Sequence, residues 1–160
     1  MAFVNVYLGL GSNQGNRQQN LMEALDRLDA AFGCHYTALS HIIETKAWGF
    51  KGDKFLNACV LYRIYRKGLP EEHGMEILGI CKEIEHAMGR VGTLAFDAEG
   101  NRIYQDRLID IDILFYGNEH IDLEALQVPH PLIGERDFVK IPLAEIAKPS
   151  LRAAFPEFFV

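Results

Sequence analysis

The spacing of apolar residues changes along the chain, and each spacing predicts one kind of element. Residues 3–10 are mostly β-branched or aromatic and run into a glycine-rich segment, which predicts a strand followed by a tight loop. In residues 16–32 apolar side chains recur every three or four positions, which predicts an amphipathic helix that ends at Gly33.

The rest of the chain continues this pattern. Residues 36–45 and 55–65 are predicted as a second and a third strand, and a second helix opens at Pro70 and keeps helical spacing to Gly89. Residues 108–116 combine β-branched content with a closing Gly-Asn, so they give the clearest strand prediction.

The resulting order, βαββαβ, indicates an α+β fold of the ferredoxin-like type, a two-layer sandwich. A C-terminal extension is expected to add a short hairpin and a helix around residues 142–147. Residues 91–105 have no period and are predicted as a loop, and loops of that length in a domain are usually functional. The length fits a single domain over residues 1–160.

Charge and composition narrow the classes of partner. The chain has 16 Lys and Arg and 22 Asp and Glu, which gives a net charge of −6. No segment of the sequence is rich in Lys and Arg. We therefore expect no nucleic-acid partner and no membrane partner, and the sequence gives no sign of an obligate protein partner.

The cysteines indicate a reducing compartment. Cys34, Cys59 and Cys81 are an odd number, widely spaced and without a CxxC pair, which is typical of buried thiols rather than of disulfides or a zinc site. Since the sequence also shows no apolar run of about 18 residues and no signal peptide, we expect a cytoplasmic protein.

Asp110 and Asp112 are the main chemical anomaly of the sequence. Residues two apart on a strand point the same way, so both carboxylates are expected on one face and the isoleucines around them on the other. Like charges side by side on an apolar strand need a compensating cation, and Mg²⁺ held by carboxylates and substrate phosphates is one solution. A solvated sheet face is the alternative explanation.

Other residues give weaker indications. The turn GLGSNQGN lacks the P-loop lysine and the last glycine of the dinucleotide fingerprint, so a tight turn with Ser12 or Asn13 near a helix cap is the simpler interpretation. Prolines on both sides of His130 restrict its backbone. Three arginines can neutralise phosphate, and four aromatic residues can form core or enclose a flat heterocycle. These are Arg90, Arg107, Arg136, Trp48, Phe50, Phe55 and Phe138.

A series of segments, taken together and in order, resembles the 6-hydroxymethyl-7,8-dihydropterin pyrophosphokinase family. The segments are YLGLGSNQGN, ETKAWGF with DKFLNACV, MGRV, DRLIDIDILFYGN and VPHPLIGERDFVKIPLAEIA. The arginine placed before D-aliphatic-D, followed later by VPHP and R-x-F, is the specific part of the match. The resemblance covers nearly the whole chain and implies the ferredoxin-like fold.

The resemblance also implies an activity and its residues. Members of the family move a pyrophosphoryl group from ATP to a pterin alcohol, with two Mg²⁺ ions that Asp110 and Asp112 would hold. The catalytic positions implied are Arg90, Arg107, Asp110 and Asp112. The nucleotide contacts implied are Lys82, Glu85, Arg102, Ile113, His130 and Arg136. The pterin pocket implied consists of Thr45, Trp48, Phe55, Asn57 and Phe138.

The sequence departs from the family pattern in a few places. Just before the segment LIDIDILFYGN the sequence has NRIYQDR, where familiar members have R-W-G-P-R. Gly92 stands where an arginine is common. Ala125 and Pro131 also replace residues that are often arginine and aromatic, respectively. Binding of the nucleotide is therefore expected to be either weaker or rearranged around Arg102 and Lys82.

Two other functions remain open from the residues alone. One is a different Mg²⁺-dependent nucleotidyl- or phosphotransferase that uses the same carboxylate pair. The other is a ferredoxin-like module that binds a small metabolite without turnover. The second gives no reason for two carboxylates on one strand face.

Overall fold

A computed structural model describes residues 2–46, 52–89, 95–96, 98–99, 102–103 and 108–159. Five residues discussed above, Trp48, Phe50, Arg90, Gly92 and Arg107, lie outside these ranges, and Arg102 is described by its backbone only.

Thirteen helices and strands make up the described part of the chain, together with two short 3-10 turns. They are β1 (Phe3–Ser12), α1 (Arg17–Phe32), β2 (Ala38–Leu39), β3 (Ile43–Thr45), β4 (Phe55–Tyr65), α2 (Pro70–Ala87), β5 (Ala95–Phe96), β6 (Arg102–Ile103), β7 (Asp110–Tyr116), β8 (Ile121–Asp122), β9 (Gln127–Val128), α3 (Asp137–Ile146) and α4 (Pro149–Ala154). The prediction for β4 agrees with its observed bounds, and α1 and α2 differ from theirs only at the ends.

The main sheet is antiparallel and has β1 near its centre. Its order is β2-β4-β1-β7, and β3 also pairs with β4. Separate two-stranded pairings join β5 with β6 and β8 with β9. The β5–β6 pairing lies inside residues 91–105, where we predicted only a loop.

Alternation along β1 directs side chains to two different cores. Val4, Val6, Leu8 and Leu10 pack with α1 and α2 on one face of the sheet, whereas Tyr7 packs with α3 and α4 on the other. The C-terminal extension thus covers the second face and adds a third layer to the predicted two.

Local sequence explains how α1 begins and ends. The Asn16 side chain accepts a hydrogen bond from the backbone N–H of Gln19 at 3.1 Å, so Asn16 is the cap rather than Ser12 or Asn13. Gly33 ends the helix in the left-handed region, with φ of 71°, which a residue with a side chain rarely adopts.

The predicted strand at residues 36–45 is interrupted and forms β2 and β3 instead. Between them the buried Ser40 accepts a hydrogen bond from the backbone N–H of Cys59 at 2.9 Å through its hydroxyl. The next residue, His41, donates its backbone N–H to Glu145 of α3 at 3.0 Å. The Ser40 hydroxyl and the Glu145 carboxylate therefore accept hydrogen bonds where a continuous strand would use only main-chain groups.

The helix predicted around residues 142–147 is longer in the structure, where it is α3. The sequence indicated a helix at residues 142–147, but α3 begins at Asp137 and carries Pro142 in its interior. Proline usually occupies the first turn of a helix, which explains the late predicted start. The expected hairpin is confirmed as β8 and β9. Within the described residues, no helix combines the length and apolarity that crossing a membrane requires.

We expect the packing of α3 on the sheet to contribute strongly to stability. Leu143 is 0% exposed and Ile141, on the same helix, is 60% exposed. Leu143→Ala should lower the free energy of unfolding by about 2–5 kcal/mol because it leaves a cavity. Ile141→Ala should change it by about 0.5 kcal/mol or less. Urea unfolding followed by circular dichroism measures both, and equal effects would show that α3 does not pack as described.

Candidate active site

The strand β7 presents its two carboxylates on one face, as predicted. Ile109, Ile111 and Ile113 are nearly fully buried in the core that contains α1 and α2, so Asp110 and Asp112 point to the opposite face. Both are partly exposed, and the Asp112 side chain retains 33% of its accessible surface. The pair therefore lies at the surface of the sheet, where a ligand can reach it.

Two glycines of β1 leave space beside these carboxylates. In the register between the strands, Gly9 pairs with Asp112 and Gly11 pairs with Asp110. A Cβ on Gly11 would lie 3.1 Å from the Asn57 side-chain oxygen and 3.3 Å from the Phe55 ring. Any larger residue at position 11 would therefore crowd the neighbouring strand β4.

Burial and neighbouring carboxylates raise the pKa of Asp112 more than the described cations lower it. Burial, and next the neighbouring Asp110 carboxylate, raise the pKa of Asp112 to about 7. The Arg136 guanidinium opposes this shift, but it approaches the Asp112 carboxylate only to 3.7 Å. The site therefore favours an added cation.

His130 is positioned as a neutral hydrogen-bond donor. Its backbone N–H donates to Leu114 at 3.0 Å, and its Nδ1 accepts from the backbone N–H of Leu132 at 3.2 Å. Since Nδ1 accepts, the ring proton is assigned to Nε2. Burial, and next the charge of Arg136, lower the pKa of His130 to about 4, although Asp110 opposes the shift.

A second group of polar and aromatic side chains lies across β1 from the carboxylates. Asn57 of β4 is opposite Gly11, and its amide donates to the Thr45 hydroxyl of β3 at 2.7 Å. Phe55 precedes it on the same face, two residues earlier. Phe138 of α3 packs against the core on this face, with its ring centre 5.5 Å from the Arg136 guanidinium carbon. One sheet face thus carries an acidic half and an aromatic-amide half.

The donor set resembles a magnesium site more than a transition-metal site. No three His, Cys, Asp or Glu side chains converge to hold a metal within the ranges the structure describes. Two carboxylate groups are hard oxygen ligands, and Mg²⁺ commonly takes one or two of them together with substrate phosphates. The residues present therefore fit Mg²⁺ bound jointly with a phosphate-bearing substrate.

Comparison with known proteins places the chain in a family. The model of the 7,8-dihydro-6-hydroxymethylpterin-pyrophosphokinase family matches residues 7–148. The chain belongs to this family. A 2-amino-4-hydroxy-6-hydroxymethyldihydropteridine pyrophosphokinase of Porphyromonas gingivalis is 39% identical over 144 residues, 89% of this chain and 90% of that protein. The protein of the same name from Methylorubrum extorquens is 41% identical over 142 residues, 88% of this chain and 81% of that protein.

Longer proteins share the same region. The folate synthesis bifunctional protein of Arabidopsis thaliana is 37% identical over 145 residues, which cover 90% of this chain and 27% of that protein. A solved structure of an HPPK-DHPS in complex with substrates matches with a TM-score of 0.65 at 13% identity. That match covers 99% of this chain and 44% of the other, and it supports the fold.

The structure brings together most of the described residues that the resemblance to the pyrophosphokinase family pointed to. Asp110, Asp112, Arg136 and His130 cluster at the carboxylate half, and Thr45, Phe55, Asn57 and Phe138 lie at the aromatic-amide half. Trp48, Arg90 and Arg107 lie outside the described residues, as does the side chain of Arg102.

Three further residues, for which the resemblance implied nucleotide contacts, stay predictions, and the structure places them outside these two halves. Ile113 is 4% exposed in the helix-side core, which leaves only its main chain for a ligand. Glu85 of α2 is buried and accepts a hydrogen bond from the backbone N–H of Ile111 at the open edge of β7. Lys82 is exposed, and its amine lies 3.6 Å from the Glu85 carboxylate.

Sequence reasoning missed the backbone contact of Glu85 and the role of Gly9 and Gly11. The contact joins residues far apart in the chain, so no local pattern reveals it. The glycines did carry a signal. Two glycines at alternate positions inside a strand indicate a close approach on one face, and the sequence G-L-G shows that spacing.

We expect Asp112→Asn to raise the melting temperature slightly or leave it unchanged. The folded protein raises the pKa of Asp112 from its ordinary 3.8 to about 7, so the ionised form is the disfavoured one. The penalty is absent below the ordinary value and grows to its full size above the raised value. The advantage of Asp112→Asn should therefore be largest near pH 8 and should vanish near pH 4.

Thermal unfolding across this pH range measures the effect, with the exposed Asp122→Asn as the control. Loss of stability in Asp112→Asn at pH 8 would instead give Asp112 a structural role.

Proposed function

We propose that the protein transfers a pyrophosphoryl group from ATP to 6-hydroxymethyl-7,8-dihydropterin and releases AMP. The product is the pterin diphosphate of the folate pathway. Membership of the pyrophosphokinase family supports this activity. The observation that carries it is the pair of carboxylates, Asp110 and Asp112, set on one strand face opposite two glycines.

For this reaction the protein has to position two substrates and to neutralise the negative charge of the ATP phosphates. The hydroxymethyl oxygen of the pterin attacks the β-phosphorus of ATP, and the bond from that phosphorus to the bridging oxygen of AMP breaks. The hydroxyl proton leaves to solvent or a base. Attack and departure are in line, so no covalent nucleophile is needed.

Asp110 and Asp112 are proposed to hold two Mg²⁺ ions jointly with the ATP phosphates. Bound Mg²⁺ supplies electrostatic stabilisation of the attacking and leaving oxygens. The raised pKa of Asp112 supports this role. It shows that a second negative charge is unfavourable beside Asp110, and a bound cation would neutralise that charge as the proton leaves.

The neighbouring cations and donors are proposed to bind the nucleotide. Arg136 lies beside Asp112, where its guanidinium can also reach a phosphate oxygen. His130 offers its Nε2–H as a neutral donor, which suits a phosphate or ribose oxygen. Lys82 and the residues Arg90, Arg102 and Arg107 are assigned to the same task by resemblance to the family.

The aromatic-amide half is proposed to bind the pterin. Asn57 is held by Thr45 and can present hydrogen bonds to the edge of a flat heterocycle, while Phe55 and Phe138 offer ring faces for stacking. Trp48 completes the proposed pocket by resemblance. Only Gly11 of β1 separates this half from Asp110, so the pterin alcohol and the phosphates would meet over that glycine.

We also propose that residues 1–160 form one domain with a ferredoxin-like core. The strand order β2-β4-β1-β7, with every pairing antiparallel and two helices on one face, supports that topology. A cytoplasmic location is proposed as well. Its support is that Cys34, Cys59 and Cys81 are all free thiols and that burial raises the pKa of Cys59 to about 12.

The two other functions are not favoured. A different Mg²⁺-dependent transferase would explain the carboxylates but not the family match over residues 7–148. A binding module without turnover would explain neither.

Purified protein should release AMP from ATP only when both 6-hydroxymethyl-7,8-dihydropterin and Mg²⁺ are present. Chelation of Mg²⁺ should abolish the reaction. A coupled assay for AMP, with chromatography of the products, measures it. ADP or free pyrophosphate as the product would contradict the proposal.

Asp110→Asn and Asp112→Asn should each lower kcat by about 100-fold or more, since each removes a charged oxygen ligand of the metal. Asp122→Asn, an exposed residue on β8, is the control and should keep the original rate. Activity preserved in both carboxylate variants would remove the pair from the mechanism.

Asn57→Ala should raise the KM for the pterin by about 10-fold or more, because a site built to hydrogen-bond a substrate loses those bonds. The KM for ATP should stay within about threefold, since Asn57 lies on the far side of Gly11 from Asp110. Steady-state kinetics with each substrate varied in turn separates the two constants, and Asn118→Ala, exposed and outside the site, is the control. An equal rise in both constants would place Asn57 outside a dedicated pterin pocket.

A further inference from the structure

Glu85 is buried at an unusual place for a carboxylate. It lies on α2, is 2% exposed, and its Oε2 accepts a hydrogen bond from the backbone N–H of Ile111 at 2.8 Å. Ile111 stands between Asp110 and Asp112 on β7. A side chain at the open edge of the sheet is thus hydrogen-bonded to the main chain midway between the two proposed metal ligands.

The direction of that N–H follows from the geometry of the sheet. Neighbouring residues of an antiparallel strand point their main-chain groups to opposite sides, so Asp110 and Asp112 face β1 while Ile111 points away from it. β7 is the last strand of the described sheet on this side. No further strand in the described part of the chain takes the N–H of Ile111, and Glu85 takes it instead.

We propose that Glu85 is a positioning residue that fixes the separation and direction of the Asp110 and Asp112 carboxylates through the main chain of Ile111. This rests on the proposed function, in which those carboxylates hold Mg²⁺ with ATP. In this role Glu85 acts through the main chain of β7, without needing direct contact with a metal or a phosphate. It ties the open edge of β7 to α2, so the strand segment that carries both ligands cannot slide or twist freely.

The accepting oxygen, rather than the charge, carries this role. A negative charge at Glu85 raises the pKa of Asp112, so its charge acts against the ionised form of that ligand. Glu85→Gln keeps an accepting oxygen in nearly the same shape and removes the charge. Glu85→Leu keeps the volume and removes the acceptor. The two variants therefore separate the two effects.

Two matched controls on the same helix exclude indirect causes. Glu83 is exposed two residues away, so Glu83→Gln tests the loss of a carboxylate from α2. Ile77 is 1% exposed, lies about two turns before Glu85 on α2 and lines a groove with Ala31 and Phe32. Ile77→Ala therefore tests destabilisation of the helix without removal of the hydrogen bond to Ile111.

The experiment measures binding as well as turnover. Electron paramagnetic resonance of free Mn²⁺, titrated in the presence of α,β-methylene-ATP, gives the apparent metal affinity. Amide hydrogen exchange by NMR reports the bond at Ile111 directly. Steady-state assays give kcat and the Mg²⁺ concentration for half-maximal rate.

Glu85→Leu should weaken Mn²⁺ binding about 10- to 100-fold, speed exchange of the Ile111 amide and raise the Mg²⁺ requirement. Glu85→Gln and both controls should stay within about threefold of the original protein in metal affinity. If the leucine variant does not fold, Glu85→Met fills the same space with a flexible side chain and takes its place.

Wild-type Mn²⁺ affinity in Glu85→Leu would overturn the proposal. So would a loss in Glu85→Gln as large as in Glu85→Leu, since the charge would then be responsible, or an equal loss in Ile77→Ala. If the original protein released no AMP, the proposed function would fail, whereas the Mn²⁺ titration and the Ile111 exchange would still decide the role of Glu85.

Discussion

The pairing of β1 with β7 is the constraint on which the site depends. It places Gly9 opposite Asp112 and Gly11 opposite Asp110, so each carboxylate has a neighbour without a side chain. The period of a strand is two, and a slip of one residue would turn both carboxylates into the helix-side core and three isoleucines outward. Burial of those isoleucines therefore fixes the direction of the acidic groups.

The C-terminal extension completes the face that this register opens. Its apolar residues pack beneath it with Tyr7 and Leu114, while Arg136, His130 and Phe138 lie at the edge of the carboxylates and the aromatic-amide half. The same segment thus supplies both core packing and side chains of the candidate site. Its packing on the sheet accounts for the third layer of the protein.

Much of this arrangement could be predicted from local sequence. The bounds of β4 and the opposed faces of β7 follow from alternation alone, because burial of one face imposes a period of two. The break between β2 and β3 could not be predicted, since it depends on the hydroxyl of Ser40 meeting Cys59 across the sheet. The early start of α3 could not be predicted either, because Pro142 lies inside the helix and proline usually marks a helix start.

The site shows the same division. The sequence predicted the shared face of the two carboxylates, because that follows from neighbours in one strand. The resemblance to a family then pointed to Asn57 and Thr45, whose mutual hydrogen bond the structure shows. The contact from Glu85 to Ile111 joins a helix to a strand that lies well beyond it in the chain, so only the folded structure reveals it.

The order of strands in the sheet also has a consequence for biosynthesis. β1 precedes both of its neighbours in the chain, and these neighbours are β4 and the much later β7. A nascent chain that ends before β7 has one side of β1 unpaired. The apolar surface around Tyr7 is covered later still, when α3 and α4 have been synthesised. Contacts between such distant segments form slowly. One edge of the central strand therefore stays unpaired until β7, the strand that carries Asp110 and Asp112, has been synthesised.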